Sequence, residues 1–471
     1  MHPFVNRKNE LRILKSLYDS DEPKLSVVYG RRRMGKTRMV IESIKDRRDA
    51  VYHQAIQGTS DQQIDSFIKD ISEIYPDVKD VRKEWEIILK FLVKKNAVVI
   101  IDEFPYIVKE VKELPSIIQR IWDHEVSGTS TTLVLTGSSI GMIHDTAIDG
   151  KAPLHGRVSK KPNGKLDIGP LPFKDSMKFF HDYEPVEKVM AYGIFGGTPE
   201  YLRAIDPSRS LKENVTRTLL DPDGGLHEEP EDVLYRELKE VDKYFAVLKA
   251  MAEGNRSVNE IGQASGINPG SEGYYLDRLK KLRIIERSYP ATVKPARSRK
   301  GRYRIRDPLF RFWFRFIYGR SSRYQLYGDD AFEGLVEPDL PDFVSCTYEE
   351  LCQRAVLQVY KDELKFIDRP TNWWDSKGHE IDIVAPTSSE KIVVGEVKFQ
   401  KKAMDYSILA QLERESDLIH RKPTGGGEIE YEYVLFGRNG FTRSLQDAGD
   451  EREDIRLYDV DQVVSLLSND D

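Results

Sequence analysis

Cysteine is nearly absent: the chain has two, Cys346 and Cys352, among 471 residues. They stand six apart in a predicted helix, a spacing that suits neither a metal site nor a redox pair. A disulfide scaffold is excluded, and a reducing compartment is expected. No histidine–cysteine cluster has zinc spacing, and no Ser/His/Asp arrangement can be assembled. No apolar run is long enough to span a bilayer; AVVIIDEF is typical and far too short. The opening MHPFVNRKNE has no apolar core of a secretion signal, so the expected location is cytoplasmic. Positive charge is not in excess either. Lys and Arg number 72 against 78 Asp and Glu, a net charge of −6. That excludes a uniformly basic nucleic-acid binder but leaves room for a local basic patch. No short repeat or low-complexity tract is visible.

The chain does have length and patterning. At roughly 150 residues per domain it is long enough for about three domains, and its composition, 39% hydrophobic and 32% charged, is that of a globular protein with a charged surface. Residues 25–29 (LSVVY), 97–101 (AVVII) and 133–136 (LVLT) are apolar β runs separated by helical stretches. Such runs predict a parallel sheet covered on both faces, giving an α/β core over 1–160. The Pro/Gly-rich 160–172 reads as a boundary. A helical region follows to about 235, with the acidic DPDGGLHEEPED as a second linker. Residues 236–310 read as three helices and a β hairpin, the order of a winged helix-turn-helix. An aromatic linker helix and a loop occupy 311–339, and 340–471 reads as a mixed α/β domain.

The strongest chemical signal follows the first strand. Gly30-Arg31-Arg32-Arg33-Met34-Gly35-Lys36-Thr37, with Arg38 after it, fits G-x-x-x-x-G-K-[ST] between a strand and a helix. The glycines let successive N–H groups turn inward onto phosphates, and the helix N-terminus faces the same oxygens. Lys36 would bridge the β- and γ-phosphates of ATP, and Thr37 would hold Mg²⁺. AVVIIDEF ends a second strand in Asp102-Glu103, with Asp102 for Mg²⁺ and Glu103 for the attacking water. The third strand ends near Thr136, Ser138 and Ser139, one of which could sense the γ-phosphate. Arg157 is either an arginine finger, in cis or in trans, or a solvated surface residue.

Two further regions carry charge. The wing KPARSRKGRYRIR holds Lys294, Arg297, Arg299, Lys300, Arg302, Arg304 and Arg306 without an acidic residue, so it could lie along DNA or RNA phosphates. Winged helices also dock proteins, and both readings stay open. FRFWFRFIYGR reads as a buried linker helix rather than a base-stacking platform. Near the C-terminus, Asp382 sits in HEIDIVAP, and Glu396 and Lys398 in VVGEVKF. Residues two apart on a strand share a face, so Glu396 and Lys398 point together and Asp382 on the neighbouring strand can meet them. Two converging carboxylates make a hard-cation site for Mg²⁺, beside which Lys398 could position water.

FVNRKNELRIL, GRRRMGKT, IIDEFPY, LTGSSIGM, APLHGR and GGTPEYL, in that order over the first half, resemble the archaeal ATPase family of AAA-like P-loop proteins. The resemblance implies ATP hydrolysis, places Phe4 to Arg7 near the adenine and Gly196 to Pro199 in a helical lid, and allows a homo-oligomer. The Asp382, Glu396, Lys398 pattern resembles PD-(D/E)XK nucleases, the restriction-endonuclease-like fold. That resemblance adds Glu349 in TYEEL as a further metal-site carboxylate. WWDSKGHEIDIV and GEVKF are shared with a domain of uncharacterised function fused behind archaeal ATPases, although Tyr348 stands where phenylalanine is usual. The expected function is an ATP-hydrolysing switch coupled to nucleic acid, with Mg²⁺-dependent cleavage as one possibility. The alternative is a signalling or transcription-regulating ATPase whose last domain only binds a partner.

Overall fold

A computed structural model describes residues 4–158, 164–291, 293, 301–389, 391–419 and 429–469. The chain divides into two compact units, one of residues 1–171 with 198–200, the other of 172–197 with 201–471.

The first unit is built on five parallel strands: β1 (Lys24–Tyr29), β2 (Ala50–Gln54), β3 (Val98–Asp102), β4 (Thr132–Gly137) and β5 (Lys165–Asp167), in the spatial order β2-β3-β4-β1-β5. Alternate residues of one strand enter different cores. Val27, Val99, Ile101, Leu133 and Leu135 face one layer of helices, while Val28, Val98, Ile100 and Val134 face the other. This explains the unbroken apolar runs, since each side chain buried in this way contributes about 1.5–3 kcal/mol. β2 (AVYHQ) and β5 (KLD) lack such runs and escaped the sequence reading. Within 160–172, Lys165–Asp167 forms β5, which pairs with β1 through Val27–Tyr29; residues 160–163 lie outside the described residues.

The second unit starts with helices over 172–237. Helices Val241–Ala252, Val258–Ser265 and Glu272–Lys281 follow, and then the antiparallel hairpin of β6 (Ile285–Ser288) and β7 (Arg302–Ile305). Ser257 caps the middle helix in a reciprocal box with Glu260, and Gly266 ends it in the left-handed region. The aromatic segment is not one regular helix. Pro308–Phe312 is α-helical and Trp313–Ile317 forms a π-type turn, with Phe310, Phe312, Phe314 and Phe316 fully buried. It is core rather than a stacking platform.

A second, mixed sheet closes this unit. It comprises β8 (Thr371–Trp374), β9 (Glu380–Pro386), β10 (Lys391–Lys398), β11 (Glu430–Gly437) and β12 (Ile455–Asp459), ordered β12-β11-β10-β9-β8. β8–β9–β10 are antiparallel, and β10–β11–β12 are parallel. Helix Leu340–Val359 precedes the sheet and buries Cys352. Among the described residues, no helix is long and apolar enough to cross a membrane.

Candidate functional site

All five strands of the first sheet run the same way, so their carboxyl ends share one edge, where open α/β sheets bind ligands. The loop after β1 carries Gly30 to Lys36. β4 lies between β1 and β3, which sets Thr136 and Ser138 between that loop and Asp102-Glu103. Gly30 (φ +155°) and Gly35 (φ +79°) take conformations that disfavour side chains. A Cβ on Gly30 would also drive into the Ile168 carbonyl oxygen. Arg33, at φ +67°, bends the loop between them.

Lys36 is buried at the start of helix Lys36–Ile44, and its Nζ donates to the carbonyls of Gly30 (2.9 Å) and Arg31 (2.8 Å). The lysine therefore braces the loop that a nucleotide would enter. The Met34 side chain is in the core, so only its backbone is available to a ligand. Arg32 Nη2 donates to the Tyr106 hydroxyl at 3.0 Å. The Arg38 guanidinium stands 5.9 Å from the centre of the Phe4 ring. Arg7 is buried and donates to the Gly169 carbonyl and, at 3.3 Å, to Glu10, which ties the N-terminal segment to the end of β5. A Cβ added at Gly35 would lie 3.9 Å from Pro199 Cγ.

Asp102 is fully buried, and both of its oxygens are engaged. Tyr52 donates to Oδ2 at 3.0 Å, while Thr136 Oγ1 and the Glu103 amide (3.0 Å) donate to Oδ1. Burial first, then the Asp102 charge, pushes the Tyr52 phenol well above its ordinary range, so it stays a donor. Glu103 sits at φ +53°, a strained value for a residue with a side chain. Its carboxylate accepts from Ser138 Oγ at 2.6 Å and from the Ser138 amide at 3.4 Å. The Thr37 hydroxyl and the Asp102 carboxylate are hard oxygen donors, the chemistry that suits Mg²⁺. Sequence reasoning missed Tyr52, because AVYHQ gave no strand signal. Arg157 is held by Asp123 through Nε (2.9 Å) and Nη2 (2.8 Å).

The second unit gathers the other acidic residues. One residue beyond the last paired rung of β9 and β10, Gly395–Ile383, stand Glu396 and Asp382. Asp382 Oδ2 accepts from the Val397 amide at 3.0 Å, and Lys398 Nζ donates to Glu396 Oε1. Glu349, on helix Leu340–Val359, accepts from Asn372 Nδ2 and from Gln353 Nε2 (3.2 Å); Gln353 also reaches the Asp382 carbonyl at 2.9 Å. Neither Gln353 nor Asn372 had a signal in the sequence. Burial, then the Asp382 charge, pushes the Glu349 carboxyl up to about 8 and Glu396 to about 7. Burial also raises Asp382, against the pull of Lys398. For Lys398, burial acts downward, but Glu396, Asp382 and Glu349 outweigh it and hold the ammonium charged. Burial and mutual repulsion thus disfavour ionisation of these carboxyls, and a bound cation would offset both. Among the described residues, no three or more His, Cys, Asp or Glu side chains are placed to hold a metal together. Mg²⁺ there would rest on one or two carboxylates and take its remaining ligands from water or substrate, a common habit of that ion.

The hairpin differs from the expected free wing. Arg304 pairs with Glu286 (2.5 Å) and Glu350 (2.9 Å), Arg302 pairs with Glu380 (2.9 Å), and Arg306 stands 4.0 Å from Glu286. Alternation along the strand spaced the arginines, but the acidic partners on other elements could not be seen in sequence. Lys294, Arg297, Arg299 and Lys300 lie outside the described residues.

Residues 4–205 match a family described as an ATPase domain predominantly from Archaea, and 313–409 match archaeal and bacterial proteins of unknown function. An uncharacterised protein of Methanocaldococcus jannaschii is 31% identical over 439 residues, covering 92% of this chain and 95% of its own. An uncharacterised ATP-binding protein of the same organism is 38% identical over 52 residues, 10% of this chain and 88% of its own. Among solved structures, a Walker-type ATPase of Pyrococcus abyssi is similar at a TM-score of 0.49 and 19% identity, over 66% of this chain and 96% of that one.

Proposed function

The chain belongs to the archaeal ATPase family, and from that premise we propose that it is a nucleotide switch that hydrolyses ATP in its first unit and acts on nucleic acid through its second. The observation that carries the reading is Glu103, held by Ser138 at 2.6 Å beside the fully buried Asp102. Lys36 and the loop amides of Gly30 to Thr37 would receive the phosphates. Thr37 and Asp102 would hold Mg²⁺, which supplies charge neutralisation at the phosphates. Glu103 orients water, and Ser138 keeps its carboxylate aimed. Arg157 becomes available to a phosphate only by leaving Asp123.

In the second unit, the three helices and the β6–β7 hairpin are read as a winged helix. Glu349, Asp382, Glu396 and Lys398 are read as a PD-(D/E)XK-like site for Mg²⁺-dependent phosphodiester cleavage, with Lys398 positioning the attacking water. The second reading is a last domain that binds a partner without cutting. The domain limits at 160, 235, 310 and 340 belong to this proposal. The experiment incubates wild type, Lys36→Ala and Asp382→Ala with plasmid and single-stranded DNA, with and without Mg²⁺–ATP. The cleavage reading predicts products from wild type and none from Asp382→Ala. Equal cutting by Asp382→Ala, or none by wild type, sinks it and leaves the partner-binding reading.

A further inference from the structure

Glu380 is one point at which the hairpin and the acidic sheet meet. Glu380 opens β9, two residues before Asp382. Its Oε2 takes Nη1 of Arg302 at 2.9 Å, and its Oε1 lies 3.7 Å from Nη1 of Arg256. The two arginines are held together by backbone as well: the Tyr303 amide on β7 donates to the Arg256 carbonyl at 2.7 Å. The Arg302 guanidinium is laid over the Trp374 ring, 4.5 Å from its centre, so its orientation is set before any ligand arrives. The hairpin segment is also anchored next to β8, where the Ala291 amide donates to the Asn372 carbonyl at 2.9 Å.

Two guanidiniums converging on two oxygens of one anion is an arrangement that suits a phosphate as well as a carboxylate. We propose that Arg256 and Arg302 form a backbone-phosphate site for nucleic acid, and that Glu380 occupies it in the free protein. The inference rests on the nucleic-acid reading above. Glu380 is half-buried and Arg256 exposed, with 37% and 58% of their side-chain surface accessible, so their pairing is the weak, solvent-screened kind. A polyanion that releases counterions on binding competes well against it. The site lies about 7 Å along β9 from Asp382, two strand residues away. A strand seated on the arginines would therefore arrive beside the acidic cluster. Displacing Glu380 would couple arrival of nucleic acid to the loss of a negative charge from the two arginines.

The test measures binding of the full chain to a labelled 20-base-pair duplex by fluorescence anisotropy across a salt series. It compares wild type, Glu380→Gln, Glu380→Gln/Arg256→Ala/Arg302→Ala, and Glu337→Gln, which removes an exposed carboxylate elsewhere in the unit. The expected result is about fivefold tighter binding by Glu380→Gln, the effect of removing a surface pair. The salt slope should stay that of wild type, since the same phosphate contact forms in both, and should flatten by about one in the triple variant, which loses that contact. The triple variant should return to wild-type affinity or below, and Glu337→Gln should match wild type. Inorganic phosphate at matched ionic strength should compete poorly; if it displaces the duplex at millimolar concentration, the site takes free phosphate and the proposal fails. If wild type binds and Glu380→Gln binds with the same affinity, the proposal fails while the nucleic-acid reading stands. If the triple variant binds as tightly as Glu380→Gln, the two arginines do not hold the phosphate; if Glu337→Gln does, only net charge is at work; either result overturns the proposal. If neither wild type nor Glu380→Gln binds, both fail.

Discussion

Replacing Glu349 by Gln should flatten the pH dependence of the second unit's stability. The Glu349 carboxyl is raised from 4.5 to about 8 by burial and by Asp382. A group whose folded value lies above its unfolded one stabilises fully below the unfolded value, and that stability is lost as pH rises through the folded value. The wild-type unit should therefore weaken between about pH 4.5 and pH 8. At roughly 1.4 kcal/mol per pH unit, the full gap is at most about 5 kcal/mol. Glu396, raised to about 7 by burial and the same neighbour, shares the repulsion, so a net loss of about 2–3 kcal/mol is the working figure. The assay is urea unfolding in EDTA at a series of pH values, followed by tryptophan emission. Trp313, Trp373 and Trp374 report the second unit, and adding ATP identifies the first unit's transition by its shift. Glu349→Gln should lose about half of the slope and be the more stable protein at pH 8. Mg²⁺ should restore wild type at pH 8 and leave Asp382→Asn unchanged. A flat wild-type profile, or the same slope in Glu349→Gln, would refute the picture of three carboxylates repelling one another.

Ser138→Ala removes a hydroxyl that donates to Glu103 at 2.6 Å. ATP turnover at saturation should fall about tenfold, the effect of one hydrogen bond to a charged group, while the Kd for ATP stays constant. Gly30→Ala would push a methyl group into the Ile168 carbonyl at φ +155°. The first unit's thermal midpoint should fall, with about 2 kcal/mol or more lost, and nucleotide affinity should fall with it; an unchanged midpoint would show that the loop relaxes without cost.

The parts of the fold visible in the sequence are those whose physics is local. β1, β3 and β4 are buried on both faces and so read as unbroken apolar runs. The P-loop is legible because backbone conformation demands glycine at Gly30 and Gly35, and chemistry demands Lys36 and Thr37. β2 and β5 were not legible. AVYHQ carries Tyr52 and His53 for polar contacts, and KLD is an edge strand of three residues. Asp382, Glu396 and Lys398 were legible because strand alternation fixes which side chains share a face. What hid the rest is distance in sequence. Tyr52 reaches Asp102 across 50 residues, and Arg302 reaches Glu380 across 78. The basic hairpin looked like a free wing because its acidic partners lie on other elements.

On the proposed function, Asp102 and Glu103 form a hydrolytic site around Mg²⁺–ATP. The most direct measurement is single-turnover hydrolysis of radiolabelled ATP with enzyme in excess, comparing wild type with Glu103→Gln. Wild type should release phosphate in a Mg²⁺-dependent reaction. In Glu103→Gln, ATP binding should be retained and the rate should fall by about 10²–10⁴. Hydrolysis by Glu103→Gln at the wild-type rate would contradict that function.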